Sequence, residues 1–184
     1  LYSGGIELLP VDAHPDTWNM NTGLIGKQQD DTALLAVHNL GNMMNVPELQ
    51  KKYPGMIIVE DACEGLFGTY NGLSAGTASL MGSISFFGNK TITSGEGGAV
   101  FTQDEDLFEY LNSVRGQGQS SVRYVHDKLG YNYRMTNIQA ALLYGQLKIA
   151  DRIRAMKRDV FELYKKELSS VEGVKFQVEE EGTT

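Results

Sequence analysis

The sequence predicts an α/β fold in which a mostly parallel sheet is flanked by helices. Short apolar runs of the kind found in buried parallel strands alternate along the chain with helical stretches. Strands that alternate with helices in this way are typical of a doubly wound sheet. The chain has 184 residues, 41 % of them hydrophobic, which is enough for one domain with a sizeable core.

The elements follow in order. Residues 6–12 and 33–38 are predicted strands, the second a continuous apolar run. Residues 46–53 are a predicted helix, because Asn45 can cap it and Pro47 suits its first turn. The remaining predicted strands cover residues 56–59, 83–86 and 98–101, and the first of them is expected to end at Glu60 and Asp61.

The last third of the chain predicts one long amphipathic helix. Thr136 and Gln139 form a capping box at its start, and apolar residues then recur at three-, four- and seven-residue spacings to about residue 168. Gly145 is the position where we expect a kink. Residues 171–178 are predicted to begin a further strand.

Composition excludes several classes of function. The net charge of −7 disfavours a nucleic-acid partner, whose phosphates require a basic face. No apolar run approaches the roughly 18 residues of a membrane span, and no leader of the secretory kind is evident. The single cysteine, Cys63, excludes an intramolecular disulfide framework and a cysteine-cluster metal site. We therefore expect a cytoplasmic protein that acts on small molecules, with no bound metal.

Asp61 is the first candidate site residue. In open α/β sheets, ligands bind beyond the carboxyl ends of the strands, and Asp61 follows the apolar run 57–59. From position alone, an equally good interpretation is that Asp61 only caps the next turn. Glu60 would point the other way from the strand, and we interpret it as a solvated or packing-related charge.

Lys90 is the second candidate. The string 88–91, Gly-Asn-Lys-Thr, is not a phosphate loop, because that motif requires glycine directly before the lysine. Lys90 precedes a glycine-rich loop, residues 94–98, where a cofactor could approach the backbone. A lysine in such a place is either a solvated surface charge or the amine of a Schiff base.

Four motifs in order carry a resemblance to a known family. They are Val-Glu-Asp-Ala-Cys-Glu at 59–64, Ser-Phe-Phe-Gly-Asn-Lys at 85–90, Gly-Glu-Gly-Gly at 95–98 and Gly-Tyr-Asn-Tyr-Arg-Met at 130–135. In these the chain resembles the sugar aminotransferases of the DegT/DnrJ/EryC1/StrS family, which use pyridoxal phosphate and have the aspartate-aminotransferase fold. Details of the first two motifs, with Gly-Gln-Gly at 116–118, are most similar to the GDP-perosamine synthase branch.

The resemblance implies roles for five residues. Lys90 would bind the cofactor covalently and move protons between the substrate and cofactor carbons. Asp61 would keep the pyridine nitrogen protonated, which makes the ring an electron sink. Glu64 would lie near the phenolic oxygen, where many relatives have glutamine, and Ser85 would bind the phosphate. Asn132 would reach the phosphate of the neighbouring subunit's cofactor, which implies a homodimer.

The resemblance also implies the reaction. A nucleotide-linked keto-sugar would receive an amino group from a donor such as glutamate, for example GDP-4-keto-6-deoxymannose to give GDP-perosamine. Lysine at position 90 favours transamination over dehydration, because histidine there marks the related sugar dehydratases. Residues 1–168 would be part of the cofactor-binding large domain, and residues 169–184 would begin the small domain. The alternative is a catalytically silent α/β fragment or dimerising module of the same family.

Other residues have weaker interpretations. His38 either lines the site or is a structural histidine with satisfied hydrogen bonds, and the second interpretation is favoured. Cys63 is expected to be a small apolar filler beside Asp61. Tyr131 and Tyr133 are expected to pack rather than to take part in chemistry.

Overall fold

The computed structural model describes residues 5–26 and 32–184. Its central feature is a four-stranded sheet in the order β1-β2-β5-β6, with a separate two-stranded hairpin formed by β3 and β4. The strands are β1 (Ala33–Val37), β2 (Ile57–Asp61), β3 (Thr69–Tyr70), β4 (Leu73–Ser74), β5 (Met81–Ser85) and β6 (Gly98–Thr102). The helices are α1 (Val46–Lys52), α2 (Glu105–Arg115), α3 (Asn137–Leu147) and α4 (Ala150–Leu168).

The central sheet is parallel except at one edge. Strand β2 pairs in parallel with β1 on one side and with β5 on the other, and β6 pairs with β5 antiparallel. Leu35 lies opposite Val59, and Asp61 lies opposite Ser83. The four strands predicted at 33–38, 56–59, 83–86 and 98–101 are thus confirmed with shifted bounds: β2 continues through Glu60 to Asp61, and β5 begins two residues earlier, at Met81.

Three of the helices begin directly after a residue whose side chain caps the first turn. The Asn45 side chain accepts a hydrogen bond from the backbone N–H of Glu48 at the start of α1. Asp104 does the same for Leu107 in α2, a helix that the sequence analysis missed. Thr136 and Gln139 form the predicted capping box at the start of α3.

The long helix predicted to run to about residue 168 is wrong in one respect. The structure has two helices, α3 and α4, separated at Lys148 and Ile149. Ile149 has φ −120° and ψ 21°, outside the helical region, so the interruption lies beyond Gly145, where a kink was expected. The apolar spacing continues across the break, which is why the sequence pattern did not reveal it.

The core lies on one face of the sheet. Side chains alternate between the two faces of a strand, and in β1 and β2 the buried members are Leu34, Ala36, Ile58 and Glu60. The first three pack with Met44 and with α1 through Val46 and Leu49. A second cluster under β5 joins Met43, Ala62, Ala75, Ile84, Phe86, Ile92 and Leu143 of α3. On the opposite face Leu35, Val37, Ile57 and Val100 are exposed.

Two predicted strands are absent from the described residues. Residues 6–12 pair with no strand, and Ile6, Leu8 and Leu9 are exposed. Residues 171–178 form no strand either. Instead, the end of this segment and the residues after it form hydrogen bonds with earlier loops. The Val178 N–H donates to the Asp16 carbonyl, and the Glu180 N–H donates to the Asn42 side chain. A strand requires a neighbouring strand to satisfy its backbone groups, and neither segment has one in the described part of the chain.

In the part of the chain that the structure describes, no helix combines the length and apolarity needed to cross a membrane.

Candidate active site

Asp61 and Ser85 lie at the carboxyl ends of neighbouring parallel strands. Asp61 is the last residue of β2 and Ser85 is the last residue of β5. Asp61 pairs with Ser83, and Ser85 is two residues further on, so all three project from the same face of the sheet. This edge is where ligands bind in open α/β sheets. The sheet therefore presents there the Asp61 carboxylate and, diagonally across on the neighbouring strand, the Ser85 hydroxyl.

The Asp61 carboxylate also caps the turn that follows it. Its Oδ1 atom accepts a hydrogen bond from the Cys63 backbone N–H at 3.0 Å. The two interpretations considered for this residue are therefore compatible, because a carboxylate has further acceptor positions that remain available to a ligand. Ser85 Oγ similarly accepts from the Phe87 N–H at 3.2 Å.

Lys90 lies in the turn that follows β5. The Lys90 N–H donates to the Phe87 carbonyl, and two residues later Ile92 is fully buried and anchors the turn in the core. The Lys90 side chain is only 19 % exposed, and its Nζ atom lies 3.7 Å from Glu64 Oε1. A lysine that is largely covered and has a carboxylate neighbour differs from an ordinary surface lysine.

Glu64 connects Lys90 to a third segment of the chain. Its second carboxylate oxygen, Oε2, accepts a hydrogen bond from the Leu40 backbone N–H at 2.8 Å. The ammonium of Lys90 is the cation that faces this partly exposed carboxylate. The turn after β1, the turn after β2 and the turn after β5 thus meet at one carboxylate.

A small cavity lies where these turns meet. It has a volume of about 160 Å³ and is lined by Leu40, Cys63, Glu64, Leu66, Asn89, Lys90 and Thr91. Burial raises the pKa of the Cys63 thiol, the nearby Asp61 raises it further, and Lys90 acts in the opposite sense. Cys63 is therefore a neutral thiol, not a nucleophile. Asp61 and Lys90 are thus both close enough to this thiol to influence its pKa.

The glycine-rich loop beyond Lys90 is held by α3, a support that the sequence analysis missed. Gln146 accepts a hydrogen bond from the Thr93 N–H through Oε1 and donates to the Thr93 carbonyl through Nε2. Gln139 donates to the Glu96 carbonyl. A glutamine on a helix does not indicate from sequence alone that it holds a loop. The role of Gln139 and Gln146 became visible only from the contact of α3 with residues 93–96.

Asn132 is not one of the residues lining the cavity. It is exposed and pairs with Gly116, in a segment that binds the end of α2 through the Tyr133 N–H and the Arg115 carbonyl. Tyr131 and Tyr133 stack on each other with their ring centroids 4.9 Å apart, as expected of packing residues. The structure therefore places Glu64 and Lys90 at the cavity and Asp61 and Ser85 at the carboxyl ends of the two neighbouring strands, and leaves Asn132 on an exposed surface.

Glu60 and His38 lie beneath the sheet and are fully buried. Glu60 Oε2 lies 2.9 Å from His38 Nε2, and the Met44 N–H donates to His38 Nδ1 at 3.0 Å. The interpretation of His38 as a satisfied structural histidine fits this environment. Of the two interpretations of Glu60, the solvated charge is wrong and the packing-related charge is confirmed, because the alternation along β2 sends Glu60 into the core, away from Asp61.

Within residues 5–26 and 32–184, the His, Cys, Asp and Glu side chains form no group of three or more that could hold a metal ion.

Comparisons with known proteins agree on one family. A model of the DegT/DnrJ/EryC1/StrS aminotransferase family matches residues 2–183. The chain is 39 % identical over 176 residues to GDP-perosamine synthase of Escherichia coli O157:H7, a match that covers 92 % of this chain and 48 % of that protein. The chain thus spans about half the length of the curated relatives it matches.

Solved structures give the same result. The sugar aminotransferase CalS13 from Micromonospora echinospora matches with a TM-score of 0.87 at 26 % identity, over all of this chain and 54 % of that one. The E. coli GDP-4-keto-6-deoxy-D-mannose-3-dehydratase with bound hydrated pyridoxal phosphate matches with a TM-score of 0.81 at 27 % identity, over 92 % of this chain and 49 % of that one. The fold is that of the pyridoxal-phosphate aminotransferases, and the chain belongs to the DegT/DnrJ/EryC1/StrS aminotransferase family.

Proposed function

We propose that the protein transfers an amino group from a donor such as glutamate to a nucleotide-linked keto-sugar, with pyridoxal phosphate as its cofactor. The observation that carries this proposal is Lys90, a largely covered amine in a cavity next to the carboxyl ends of β2 and β5, where Asp61 lies two residues from the cavity-lining Cys63. The similarity to GDP-perosamine synthases supports GDP-4-keto-6-deoxymannose as the acceptor and GDP-perosamine as the product.

The residues present fit pyridoxal phosphate. An aldehyde requires an amine, a pyridine nitrogen requires a carboxylate to stay protonated, and a phosphate requires hydrogen-bond donors. Lys90, Asp61 and Ser85 provide one group of each kind, at the same edge of the sheet. When bound, the cofactor carries the amino group and withdraws electrons from the carbon that loses a proton.

Each residue then has a defined task. Lys90 Nζ binds the cofactor and afterwards moves a proton to and from the substrate carbon. Asp61 holds the proton on the pyridine nitrogen, and the Ser85 hydroxyl donates to the phosphate. Glu64 faces the ammonium of Lys90 and keeps the amine beside the cavity while it is not engaged. Asn132 is proposed to reach the phosphate in a neighbouring subunit, which makes the exposed surface around it part of a homodimer interface.

Two related functions compete with this proposal. A relative at 30 % identity is a GDP-4-keto-6-deoxy-D-mannose 3-dehydratase from Escherichia coli O55:H7. Lysine at position 90 favours transamination, because an amine can both carry the cofactor and transfer protons. The other alternative is a catalytically silent module that has kept the fold. For the domains, we propose that residues 1–168 belong to the large domain and that residues 169–184 begin the small one.

Trapping of the cofactor tests the role of Lys90. The chain is incubated with pyridoxal phosphate, reduced with borohydride and digested, and the modified lysine is found by mass spectrometry. We expect the label on Lys90, an imine absorbance band before reduction, and loss of both in Lys90→Ala. The matched control is Lys157→Ala, which removes an exposed amine on α4. Equal labelling of Lys157 and Lys90 in the unmodified chain would contradict the assignment.

Turnover is tested in a chimera, because the chain spans about half of each relative. The matched segment of the E. coli O157:H7 GDP-perosamine synthase is replaced by this sequence and supplied with glutamate and GDP-4-keto-6-deoxymannose. We expect an aminated sugar nucleotide, and none from the same chimera with Lys90→Ala. A product that has instead lost its 3-hydroxyl group would favour the dehydratase. A chimera that binds cofactor without giving product would favour the silent module.

A further inference from the structure

The buried His38 connects the core to a loop at the candidate site. Its Nε2 atom lies 2.9 Å from Glu60 Oε2, and its Nδ1 atom accepts a hydrogen bond from the Met44 N–H at 3.0 Å. Since Nδ1 is an acceptor, the proton of the neutral ring is assigned to Nε2, which donates to Glu60. The ring therefore fixes both ends of the segment 38–44: its own residue at one end and the Met44 amide at the other.

This 38–44 loop is packed directly against Glu64. The Leu40 N–H donates to Glu64 Oε2 at 2.8 Å. A Cβ atom at Gly41 would come within 3.2 Å of the Glu64 carbonyl oxygen, and one at Gly65 within 3.4 Å of the His38 Cβ atom. The backbones of the two segments are thus in close contact, and a shift of the loop would move the partner of Glu64.

The loop holds an unfavourable backbone conformation at the contact. Leu40 has φ +54°, in the left-handed region that residues with a Cβ atom rarely adopt. Such a conformation persists only where the surrounding structure enforces it. Here the enforcement is visible on both sides of Leu40: the Gly41 N–H donates to the His38 carbonyl, and the Asn42 N–H donates to the Asn39 carbonyl.

We propose that His38 is a positioning residue for Lys90. It holds the 38–44 loop in the conformation in which the Leu40 amide orients Glu64, and Glu64 in turn holds the ammonium of Lys90 beside the cavity. The importance of this for catalysis rests on the proposed function of Lys90. The mechanical link itself does not, because it runs entirely through contacts within this chain.

Two substitutions separate the two hydrogen bonds of the ring. In His38→Asn, the amide oxygen takes the place of Nδ1 and can still accept from the Met44 N–H, while the bond to Glu60 is lost. In His38→Gln, the amide nitrogen takes the place of Nε2 and can still donate to Glu60, while the anchor of the loop is lost. If anchoring of the loop matters, only His38→Gln releases Glu64.

The readout is the rate at which Lys90 is acetylated by acetic anhydride in the folded chain, measured by peptide mass spectrometry relative to the exposed Lys157. A partly exposed ion pair contributes modestly, so its release is expected to speed acetylation of Lys90 about threefold. We expect this faster acetylation in His38→Gln and in Glu64→Gln, and the rate in Glu64→Gln sets the upper limit because it removes the ion pair itself. In His38→Asn we expect a rate close to that of the unmodified chain. Equal rates in all three variants, or equal rises in both His38 variants, would overturn the proposal.

A variant outside the core keeps the test decisive if His38→Gln does not fold. Gly41→Ala disturbs the same loop without touching the buried pair, because Gly41 has φ +86° and its new Cβ atom would press on the Glu64 carbonyl. We expect faster acetylation of Lys90 here too, and an unchanged rate overturns the proposal. Borohydride trapping on the same variants distinguishes this proposal from the proposed function. If the chain does not trap the cofactor but shows the expected acetylation rates, His38 still positions Lys90, whereas the proposed role of Lys90 in transamination is refuted.

Discussion

Replacement of Glu60 by glutamine is expected to destabilise the fold strongly. The buried carboxylate accepts four hydrogen bonds, two at each oxygen. Oε1 accepts from the Ala78 N–H at 2.8 Å and from the Ser79 hydroxyl at 2.9 Å. Oε2 accepts from the Gly76 N–H at 3.0 Å and from His38 at 2.9 Å. An amide has one oxygen, so glutamine can satisfy two of these donors and turns an NH₂ group towards the other two.

The magnitude follows from the lost bonds. A hydrogen bond to a charged group contributes about 1.5–3 kcal/mol. With the NH₂ group in the place of Oε1, the Ala78 N–H loses its acceptor, whereas the Ser79 hydroxyl can turn to the Met81 carbonyl at 3.0 Å and accept from the amide. The two remaining bonds then go to a neutral oxygen instead of a carboxylate and are weaker. Relief from burying a charge offsets part of this loss. We therefore expect the free energy of unfolding to fall by about 3 kcal/mol. The measurement is urea unfolding at pH 7 followed by circular dichroism, with Glu109→Gln on the exposed surface of α2 as the control. A loss below about 1 kcal/mol, the size of one ordinary hydrogen bond, would refute the reasoning.

The pH dependence of stability, compared between the native chain and Glu60→Gln, tests the charge of Glu60. Burial by itself would raise the pKa of Glu60, but the hydrogen bonds from His38, Ser79 and the Gly76 amide outweigh it and hold the pKa below its ordinary value of 4.5. A depressed folded-state pKa means that the stabilisation is fully present above pH 4.5 and is lost as the pH falls through the lower folded value. The stability difference between the native chain and Glu60→Gln should thus be constant from pH 7 to 6 and shrink below 4.5. A difference that grows on acidification would contradict the sign.

Three further changes test other parts of the structure. Asp61→Asn keeps the cap on the Cys63 amide but cannot keep a pyridine nitrogen protonated, so cofactor trapping on Lys90 should persist. The half-reaction of the chimera with glutamate should slow by about a hundredfold or more, where each factor of ten is about 1.4 kcal/mol of barrier. A near-native rate, measured by stopped-flow absorbance, would leave Asp61 as a cap alone. Thr136→Ala removes the capping box of α3 and should lower the free energy of unfolding by about 1 kcal/mol in the same urea assay, whereas Thr136→Ser should retain it. Gly82→Ala places a Cβ atom 2.3 Å from the Gly76 Cα atom and should cost about 1–3 kcal/mol by overpacking, and full native stability would mean that β5 can move away from that turn.

The sequence predicted most of the elements whose signal is local; α2 is the exception, because its Asp104 cap was not recognised. The four strands of the central sheet are apolar runs, and α1 and α3 carry caps in the sequence itself. The predicted strand at residues 6–12 failed because an apolar run says nothing about whether a partner strand exists. The short hairpin of β3 and β4 has two residues in each strand, too few for any alternation to be read.

Much of the candidate site was predictable for a different reason. Asp61 and Lys90 follow predicted strands, so the topology of a parallel sheet brings them to one edge, whereas Ser85 was implied by the family resemblance alone. The partners of Glu64 were not predictable, because its contact with the Leu40 amide depends on a left-handed turn that nothing in the sequence around Leu40 marks. The support that Gln146 gives to Thr93 spans 53 residues and depends on how α3 packs.

The neighbouring carboxylates Glu60 and Asp61 show how the core determines the site. Because side chains alternate along β2, one carboxylate enters the buried face and the other lies on the opposite face with Ser83 and Ser85. A slip of β2 by one residue would exchange the faces and put either Val59, which has no acceptor, or Asp61, whose side chain is one methylene shorter, among the four donors that Glu60 now satisfies. The buried network therefore selects the register of the strand, and that register is what presents Asp61 at the edge where we propose the cofactor binds.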